Sequence, residues 1–160
     1  MVFSEALLEE TLFRITSLMA DCRDRWCIFG GAALYLHGYR NMPFSDVDIL
    51  ASTADCERLR RTANIGNDAE GGTNRFRSKI LLHPKLGIFE VEIMGDFEIF
   101  AKGAWQPVYI EPAVKLQFGS ATVPVASLEK IASILRLSGR EKDFSRLALI
   151  GRPDFSSAAT

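Results

Sequence analysis

The feature that most constrains this chain is a pair of aspartates, Asp46 and Asp48, within the run Asp-Val-Asp-Ile-Leu. The run alternates polar and apolar residues, which predicts a β-strand with both carboxylates on one face and Val47 and Ile49 in the core. At about 4 Å two such charges repel by roughly 4 kcal/mol at an effective dielectric of about 20. A fold that keeps such a pair usually offsets the repulsion with a cation, a shared proton or open water. The run therefore predicts a site for a hard cation such as Mg²⁺, which takes oxygen ligands.

A diglycine, Gly30-Gly31, precedes these aspartates in the chain. It follows the apolar run 26–29, which predicts a buried strand, and it precedes residues 32–37, which predict a short helix. Glycines at such a turn let the backbone approach a ligand closely, and the helix start offers free N–H donors to an anion. Metal-bridged phosphates would then lie between the turn and the aspartates, as phosphoryl and nucleotidyl transfer require.

The rest of the pattern predicts a mixed α/β domain over residues 1–150 and a flexible tail over 151–160. Further helices are predicted over 4–20, from Ser52 or Thr53 to 61, over 127–137 and over 141–150, and further strands over 75–82, 88–94, 108–110 and 121–125. The strands 75–82 and 88–94 are expected to form a hairpin, and residues 64–74 a flexible loop. We also expect strands 46–50 and 88–94 to lie side by side, because their carboxylates would share one metal.

The composition argues against several classes of protein. Hydrophobic residues make up 48% of the chain, and 19 basic and 20 acidic residues give a net charge of −1, which argues against disorder and against a broadly basic nucleic-acid-binding surface. No apolar stretch is long enough for a membrane span, and the basic start of a signal peptide is missing. The odd cysteine count then favours a cytoplasmic protein. Cys22 and Cys27 lack the second pair of a zinc site, so apolar packing is expected for them.

The glycine and aspartate motifs together resemble the signature of the polymerase-β-like nucleotidyltransferases. Those families pair a Gly-Gly or Gly-Ser turn with an Asp-x-Asp strand and add a third carboxylate from a later strand. The segment 91–96, Val-Glu-Ile-Met-Gly-Asp, is similar to one in small bacterial and archaeal nucleotidyltransferase-like proteins of unknown substrate. Further matches are Gly103-Ala104-Trp105, Val123-Pro124-Val125, Ser127-Leu128-Glu129 and Leu137-Ser138-Gly139-Arg140, so the resemblance covers residues 26 to 147.

The resemblance implies an α/β (α+β) nucleotidyltransferase fold, with a mixed β-sheet flanked by helices and a C-terminal helical pair. It implies that Asp46, Asp48 and Glu92 are both the metal ligands, for Mg²⁺ or Mn²⁺, and the catalytic carboxylates. Glu92 stands where many superfamily enzymes have aspartate. Glu90 projects from the same strand face and is the competing third carboxylate, with the register open by one residue. The resemblance also implies that the diglycine cradles the nucleotide phosphates.

Basic side chains offer two further contacts for a nucleotide. Arg75, Arg77 and Lys79 alternate on one predicted strand face and are candidates for the triphosphate. The alternative is an ordinary solvated face beside acidic strands. The segment 140–143, with Arg140 and Lys142, resembles an element that some relatives place near the nucleotide, and a plain surface is again the alternative.

Aromatic and histidine side chains give weaker signals. Phe44 and Trp105 are candidates for stacking on a base. His37 ends a predicted helix and His83 opens a turn, and neither has an evident ligand partner in the sequence.

The sequence is compatible with two functions. The first is a metal-dependent nucleotidyltransferase that moves a nucleoside monophosphate from a nucleoside triphosphate to an unidentified acceptor, such as an antibiotic, a protein hydroxyl or an RNA end. The second is a non-catalytic nucleotide-binding or partner-binding module, such as a toxin–antitoxin component. Acceptor recognition would come from the C-terminal helices, a protein partner or a second subunit. A dinucleotide-binding Rossmann domain is excluded, because no G-x-G-x-x-G follows the first strand.

Overall fold

The computed structural model describes residues 3–87 and 89–151, so the predicted tail lies outside the described residues except for Gly151. The helices are α1 (Glu5–Leu18), α2 (Gly30–Leu36), α3 (Thr53–Thr62), α4 (Leu128–Ser138) and α5 (Glu141–Ile150). The strands are β1 (Cys27–Phe29), β2 (Asp46–Ala51), β3 (Phe76–Arg77), β4 (Ile80–Leu82), β5 (Glu90–Gly95), β6 (Glu98–Ala101), β7 (Ala104–Pro107), β8 (Val114–Phe118) and β9 (Ala121–Val125).

A six-stranded mixed sheet organises the molecule, with the strand order β4-β5-β2-β1-β9-β8. The pairs β2–β5 and β1–β9 are parallel, and the other neighbouring pairs are antiparallel. Strands β3, β6 and β7 form a second, smaller sheet. Helix α1 packs on β9, α3 packs on β4 and β5, and α4 and α5 pack on each other. The predicted mixed α/β class and the C-terminal helical pair are therefore confirmed.

The pairing of β2 with β5 positions the acidic residues. The two strands run parallel with Asp46 opposite Glu90 and Asp48 opposite Glu92, so the prediction that they lie side by side is confirmed. The apolar residues between the carboxylates point the other way. Val47 and Ile93 are fully or almost fully buried, which fixes the register, because a slip of one residue would bury the acids.

Capping explains where the helices begin and end. The hydroxyls of Ser4, Ser52 and Ser127 each accept a hydrogen bond from a backbone N–H in the first turn of α1, α3 and α4. Gly139 ends α4 with a φ of 65°, a left-handed conformation that favours glycine. The predicted helices are thus confirmed to within a few residues, and Ser52, rather than Thr53, is the cap of α3.

Three strand predictions need correction. Residues 75–82 do not form one strand: β3 belongs to the small sheet and β4 to the large one. Residues 108–110 form no strand, and the sequence pattern missed β6, β7 and β8. Strand β8 lies at the sheet edge and is largely exposed, so it lacks the apolar alternation that marks half-buried strands. The turn between β6 and β7, Lys102-Gly103, has φ values of 54° and 77°, as a two-residue hairpin turn requires.

Residues 64–74 contain no helix or strand, as predicted, but one asparagine anchors them. The Asn67 carboxamide oxygen accepts hydrogen bonds from the backbone N–H groups of Ala69 and Leu81, and its amide group donates to the Lys79 carbonyl. The loop is therefore docked onto β4. As a result, Asp68 is held beside the large sheet.

The cysteines behave as apolar residues. Cys27 and Cys56 are buried in the core, and Cys22 packs against it half-buried. Burial raises the pKa of the Cys27 thiol to about 11 and that of Cys56 to about 12, so both are neutral near pH 7. This environment fits apolar packing rather than a zinc pair. Among the described residues, no helix is long and apolar enough to cross a membrane.

Candidate functional site

A cleft of about 790 Å³ opens where the diglycine turn, the acidic strands β2 and β5, and the C-terminal helices meet. Its lining includes Gly30, Asp48 and Glu92, and also Glu70 from the loop 64–74. The side formed by α5 carries basic residues. The cleft therefore joins an acidic strand face to a basic helix face.

The acidic face is a compact cluster. Oxygens of Asp46, Asp48 and Glu92 all lie within 4.8 Å of one another. Asp48 Oδ1 is buried and has no hydrogen-bond partner among the described residues. Buried polar atoms are nearly always hydrogen-bonded, so an orphaned carboxylate oxygen marks a position where a ligand fits.

The electrostatics of Asp48 follow from this geometry. Burial, together with the neighbouring charges of Asp46 and Glu92, raises the pKa of its carboxyl to about 8. Arg146 and Arg140 oppose the shift only in part. Without a bound cation, Asp48 thus holds a proton near neutral pH. With a cation, the charged form is favoured.

The diglycine is shaped around Asp48. Gly30 has a φ of 74°, and a Cβ at this position would lie 2.8 Å from Asp48 Oδ2. A Cβ on Gly31 would lie 3.0 Å from the Cβ of Phe44 and 3.1 Å from the Arg146 guanidinium. Any larger residue would therefore push against the acidic cluster or the basic face.

The basic face comes from the last helix and its start. Arg140, Lys142 and Arg146 all line the cleft. The sequence pattern pointed to Arg140 and Lys142 but missed Arg146. The spacing of Lys142 and Arg146, four residues apart on one helix, is the signal that would have found it, because such residues share a helix face.

Arg140 is held in a fixed orientation. Asp143 is fully buried, and its carboxylate accepts two hydrogen bonds from the Arg140 guanidinium, at 2.7 and 2.9 Å, and one from the Ser138 hydroxyl. The guanidinium carbon also lies 4.8 Å from the centre of the Phe76 ring. Asp143 therefore positions the Arg140 side chain in the lining of the cleft.

The two arginines predicted to contact the triphosphate, Arg75 and Arg77, have different positions in the structure. Arg77 lines the cleft, but its guanidinium pairs with Glu98 at 2.8 Å and lies over the Trp105 ring at 4.3 Å. Arg75 does not line the cleft and donates to the Ser138 carbonyl. Both side chains already have partners, whereas α5 presents its basic residues to the cleft.

Glu90 and Glu92 also differ in position. Glu92 lines the cleft and is half-buried, whereas Glu90 is exposed and lies outside the cleft lining. Asp96 lies in the turn after β5 and lines a different depression. Glu92 is therefore the carboxylate of β5 that the cleft brings to the two aspartates.

The two histidines have different surroundings. His37 caps the end of α2, and its Nε2 lies 2.8 Å from the Ala126 carbonyl oxygen, a structural contact. The sequence offered no evident ligand partner for His83, but in the structure its Nδ1 lies 2.7 Å from Asp68 and its Nε2 3.3 Å from Glu92. Burial opposes a charge on His83, but these two hydrogen bonds outweigh it and raise the pKa of the imidazole. The sequence held no signal for this contact, because Asp68 comes from the irregular loop.

The two aromatic candidates also differ. Phe44 lines the cleft and stacks on Phe89, with ring centroids 5.6 Å apart. Trp105 lies outside the cleft lining, under Arg77. Only Phe44 is therefore placed to contact a ligand in the cleft.

Solved structures resemble this chain closely in fold. A candidate nucleotidyltransferase from Thermotoga maritima superposes with a TM-score of 0.67 at 22% identity, over 95% of this chain and 97% of that one. The antibiotic-resistance factor ANT(2'')-Ia gives a TM-score of 0.55 in its solution structure, at 12% identity over 92% of this chain and 84% of that one. Its crystal structure with adenylyl-2''-tobramycin gives 0.53, at 13% identity over 91% and 86%.

Neither a protein-family model nor the sequence of a curated protein matches the chain. The likeness is therefore one of architecture. It extends over nearly the whole chain. The chain shares the mixed α/β fold of these solved nucleotidyltransferase structures, as its glycine and aspartate motifs predicted.

Proposed function

We propose that this protein is a metal-dependent nucleotidyltransferase that uses Asp46, Asp48 and Glu92 as its catalytic carboxylates. The observation that carries the proposal is the buried Asp48 oxygen without a partner, set among carboxylates at the floor of a cleft with a basic wall. A stabilising structural role would give that oxygen a donor. A divalent cation would supply positive charge to the acidic face, and a nucleoside triphosphate would supply negative charge to the basic face.

The residues present fit Mg²⁺ or Mn²⁺. The donor set of the cluster consists of oxygen atoms alone, within 4.8 Å of one another, and hard cations prefer such ligands. When bound, the ion would neutralise the triphosphate and favour loss of the acceptor's proton. Asp46, Asp48 and Glu92 would hold it.

The chain's own residues supply the remaining parts of the reaction. The small Gly30 and Gly31 leave room for phosphates beside Asp48, and Arg140, Lys142 and Arg146 bind the pyrophosphate portion through charged hydrogen bonds. The acceptor hydroxyl oxygen forms a bond to the α-phosphorus, and the bond from that phosphorus to the bridging oxygen breaks. Pyrophosphate leaves, and Glu92 takes the hydroxyl proton.

Binding of the nucleotide tests the first half of the proposal. ATP, GTP, CTP and UTP are titrated by calorimetry, first in EDTA and then with Mg²⁺. We expect weak binding in EDTA, because unscreened charge pairs at about 4 Å cost roughly 4 kcal/mol each at an effective dielectric of about 20. Tight binding with Mg²⁺ is expected to fall by about 10-fold in Arg146→Ala, which loses a charged hydrogen bond.

Arg14→Ala is the matched control, because Arg14 lies on the surface of α1 and pairs with Glu10. It should bind nucleotide as the wild type does. Tight binding in EDTA would mean that basic residues dominate and that the carboxylates are not the centre of the site. Binding in neither condition would favour the partner-binding module.

Transfer itself is tested with α-phosphate-labelled triphosphates and three acceptor classes: tobramycin, total RNA and a protein extract. We expect label to move to one class with Mg²⁺ or Mn²⁺, and Asp48→Asn to abolish it. Tobramycin is included because the adenylyl derivative of this antibiotic is bound in one neighbouring structure. Nucleotide binding without transfer to any class would leave a nucleotide-binding module and contradict the enzymatic proposal.

A further inference from the structure

His83 lies between two carboxylates at the end of β4. Its Nδ1 is 2.7 Å from Asp68 Oδ2, and its Nε2 is 3.3 Å from Glu92 Oε1. Both contacts have a structural origin. The Asn67 anchor docks Asp68 beside β4, and the antiparallel register that pairs Leu82 with Ile93 brings the next residue, His83, towards Glu92.

The ring leaves one nitrogen for a second partner. An ionised carboxylate only accepts hydrogen bonds, so Nδ1 donates its proton to Asp68. In the neutral imidazole, Nε2 then carries a lone pair that faces Glu92, and two lone pairs at this distance repel. The contact is favourable when Nε2 carries a second proton or when a cation lies between Nε2 and the carboxylate.

The orientation of the ring matches that of histidines that bind metals. Such histidines donate the other ring N–H to a carboxylate or carbonyl, which fixes the tautomer and aims the free nitrogen at the ion. Asp68 has this relation to His83. A third ligand is at hand, because Glu90 projects from the same face of β5 as Glu92, and ligand atoms of His83, Glu90 and Glu92 lie within 4.8 Å of one another.

We propose that His83, Glu90 and Glu92 form a second metal site, distinct from the carboxylate cluster and selective for a transition-metal dication such as Zn²⁺ or Co²⁺. Imidazole is a preferred ligand of these ions, whereas Mg²⁺ prefers a site made of oxygen alone. Glu92 belongs to both sites. Zn²⁺ bound to His83 therefore competes for the carboxylate that the nucleotide site uses. The site needs neither a nucleotide nor an acceptor, so it stands apart from the proposed function.

The test is a Zn²⁺ titration of the full chain by calorimetry without Mg²⁺, because Mg²⁺ in the carboxylate cluster would compete for Glu92. Co²⁺ absorption supplies the spectroscopic signature of a nitrogen ligand. We expect one Zn²⁺ per chain. Binding should weaken by at least about 10-fold in His83→Ala, where a ligand is lost, and by about 10-fold in Asp68→Asn, where the ring loses its orienting partner.

Glu90→Gln keeps the test decisive if the histidine variant fails to fold. Glu90 is exposed, so the change should leave the fold intact while it removes a ligand. Asp46→Asn is the matched control, because it alters the carboxylate cluster but none of the three proposed zinc ligands. It should keep Zn²⁺ affinity. Zn²⁺ binding that Asp46→Asn abolishes and Glu90→Gln spares would overturn the proposal, as would no Zn²⁺ binding by the wild type, since the histidine is then only a charged link between carboxylates.

Discussion

Asp55 is fully buried and Asp48 is half-buried with one buried carboxylate oxygen, yet the surroundings of the two carboxylates are opposite. Asp55, at the start of α3, accepts hydrogen bonds from the backbone N–H groups of Arg23 and Asp24, at 3.0 and 2.9 Å, and from the Arg58 guanidinium at 2.6 Å. Burial alone would raise the pKa of Asp55, but the backbone donors and Arg58 outweigh it and lower the pKa. Asp48 has a buried oxygen with no donor and a raised pKa.

The difference separates two uses of a buried carboxylate. Asp55 joins the segment before β1 to α3, and each of its oxygens has a donor, so its charge stabilises the fold. Asp48 is held by its strand alone and faces other acids, so ionising it opposes the fold unless a cation is bound. The hydrogen-bond partners of each carboxylate therefore decide its role.

The largest expected effect is the loss of the Asp55 charge. Asp55→Asn removes the ion pair with Arg58 and one acceptor of a buried network, so we expect a loss of roughly 2–4 kcal/mol in the free energy of unfolding at pH 7. Urea unfolding measures it. Because the folded pKa is lowered, this stabilisation is present at neutral pH and is lost as the pH falls below about 4. The same substitution at Asp48 is the control, and an equal loss there would remove the distinction between the two positions.

Asp48→Asn should have the opposite sign in EDTA. The folded pKa of Asp48 is about 8, well above that of an unfolded aspartate, so the wild type loses stability as the pH rises from about 4 to about 8. Asparagine carries no charge and escapes this loss. We expect the variant to be more stable than the wild type by about 1–2 kcal/mol at pH 8, with a gap that closes towards pH 4.

Adding Mg²⁺ tests whether Asp48 is a metal ligand. Added Mg²⁺ should raise the thermal midpoint of the wild type and change that of Asp48→Asn much less, because the variant loses a ligand. A gap between the two proteins that is flat from pH 4 to pH 8 would contradict the assigned environment of Asp48. Equal Mg²⁺ shifts would contradict its role as a ligand.

The smallest expected effect concerns the space around Asp48. Gly30→Ala forces a side chain into a φ of 74° and places Cβ 2.8 Å from the aspartate oxygen. Gly103→Ala is the matched control, because its φ is 77° and a Cβ there meets nothing within 4 Å. Both changes should cost about 1 kcal/mol from the backbone conformation. Gly30→Ala should cost about 1 kcal/mol more in urea unfolding, as expected for forced overpacking, and should also weaken Mg²⁺ binding. Equal behaviour would mean that Asp48 moves aside freely.

The accuracy of each sequence-based prediction depended on whether the residues that determine the feature lie close together in the chain. The alternation around Asp46 and Asp48 predicted a strand, and the matching alternation in β5 predicted its neighbour, because a period of two is visible within a few residues. The edge strand β8 had no such pattern, and the turn at Gly103 was overlooked. Contacts such as those of Asp68 with His83, or of Asp55 with the backbone before β1, join segments far apart and depend on packing that no local pattern encodes.

The parallel pairing of β2 and β5 also affects the stage of folding at which the acidic cluster can form. A parallel pair cannot be joined by a tight turn, and here α3, the loop 64–74 and β4 all lie between the two strands in the chain. Closing that long segment is slow compared with forming the local β4–β5 hairpin. We therefore expect the acidic cluster to be assembled late in folding, with no cation bound until β5 has docked. The ion then acts on the folded state alone, so it should slow unfolding while leaving the rate of refolding nearly unchanged.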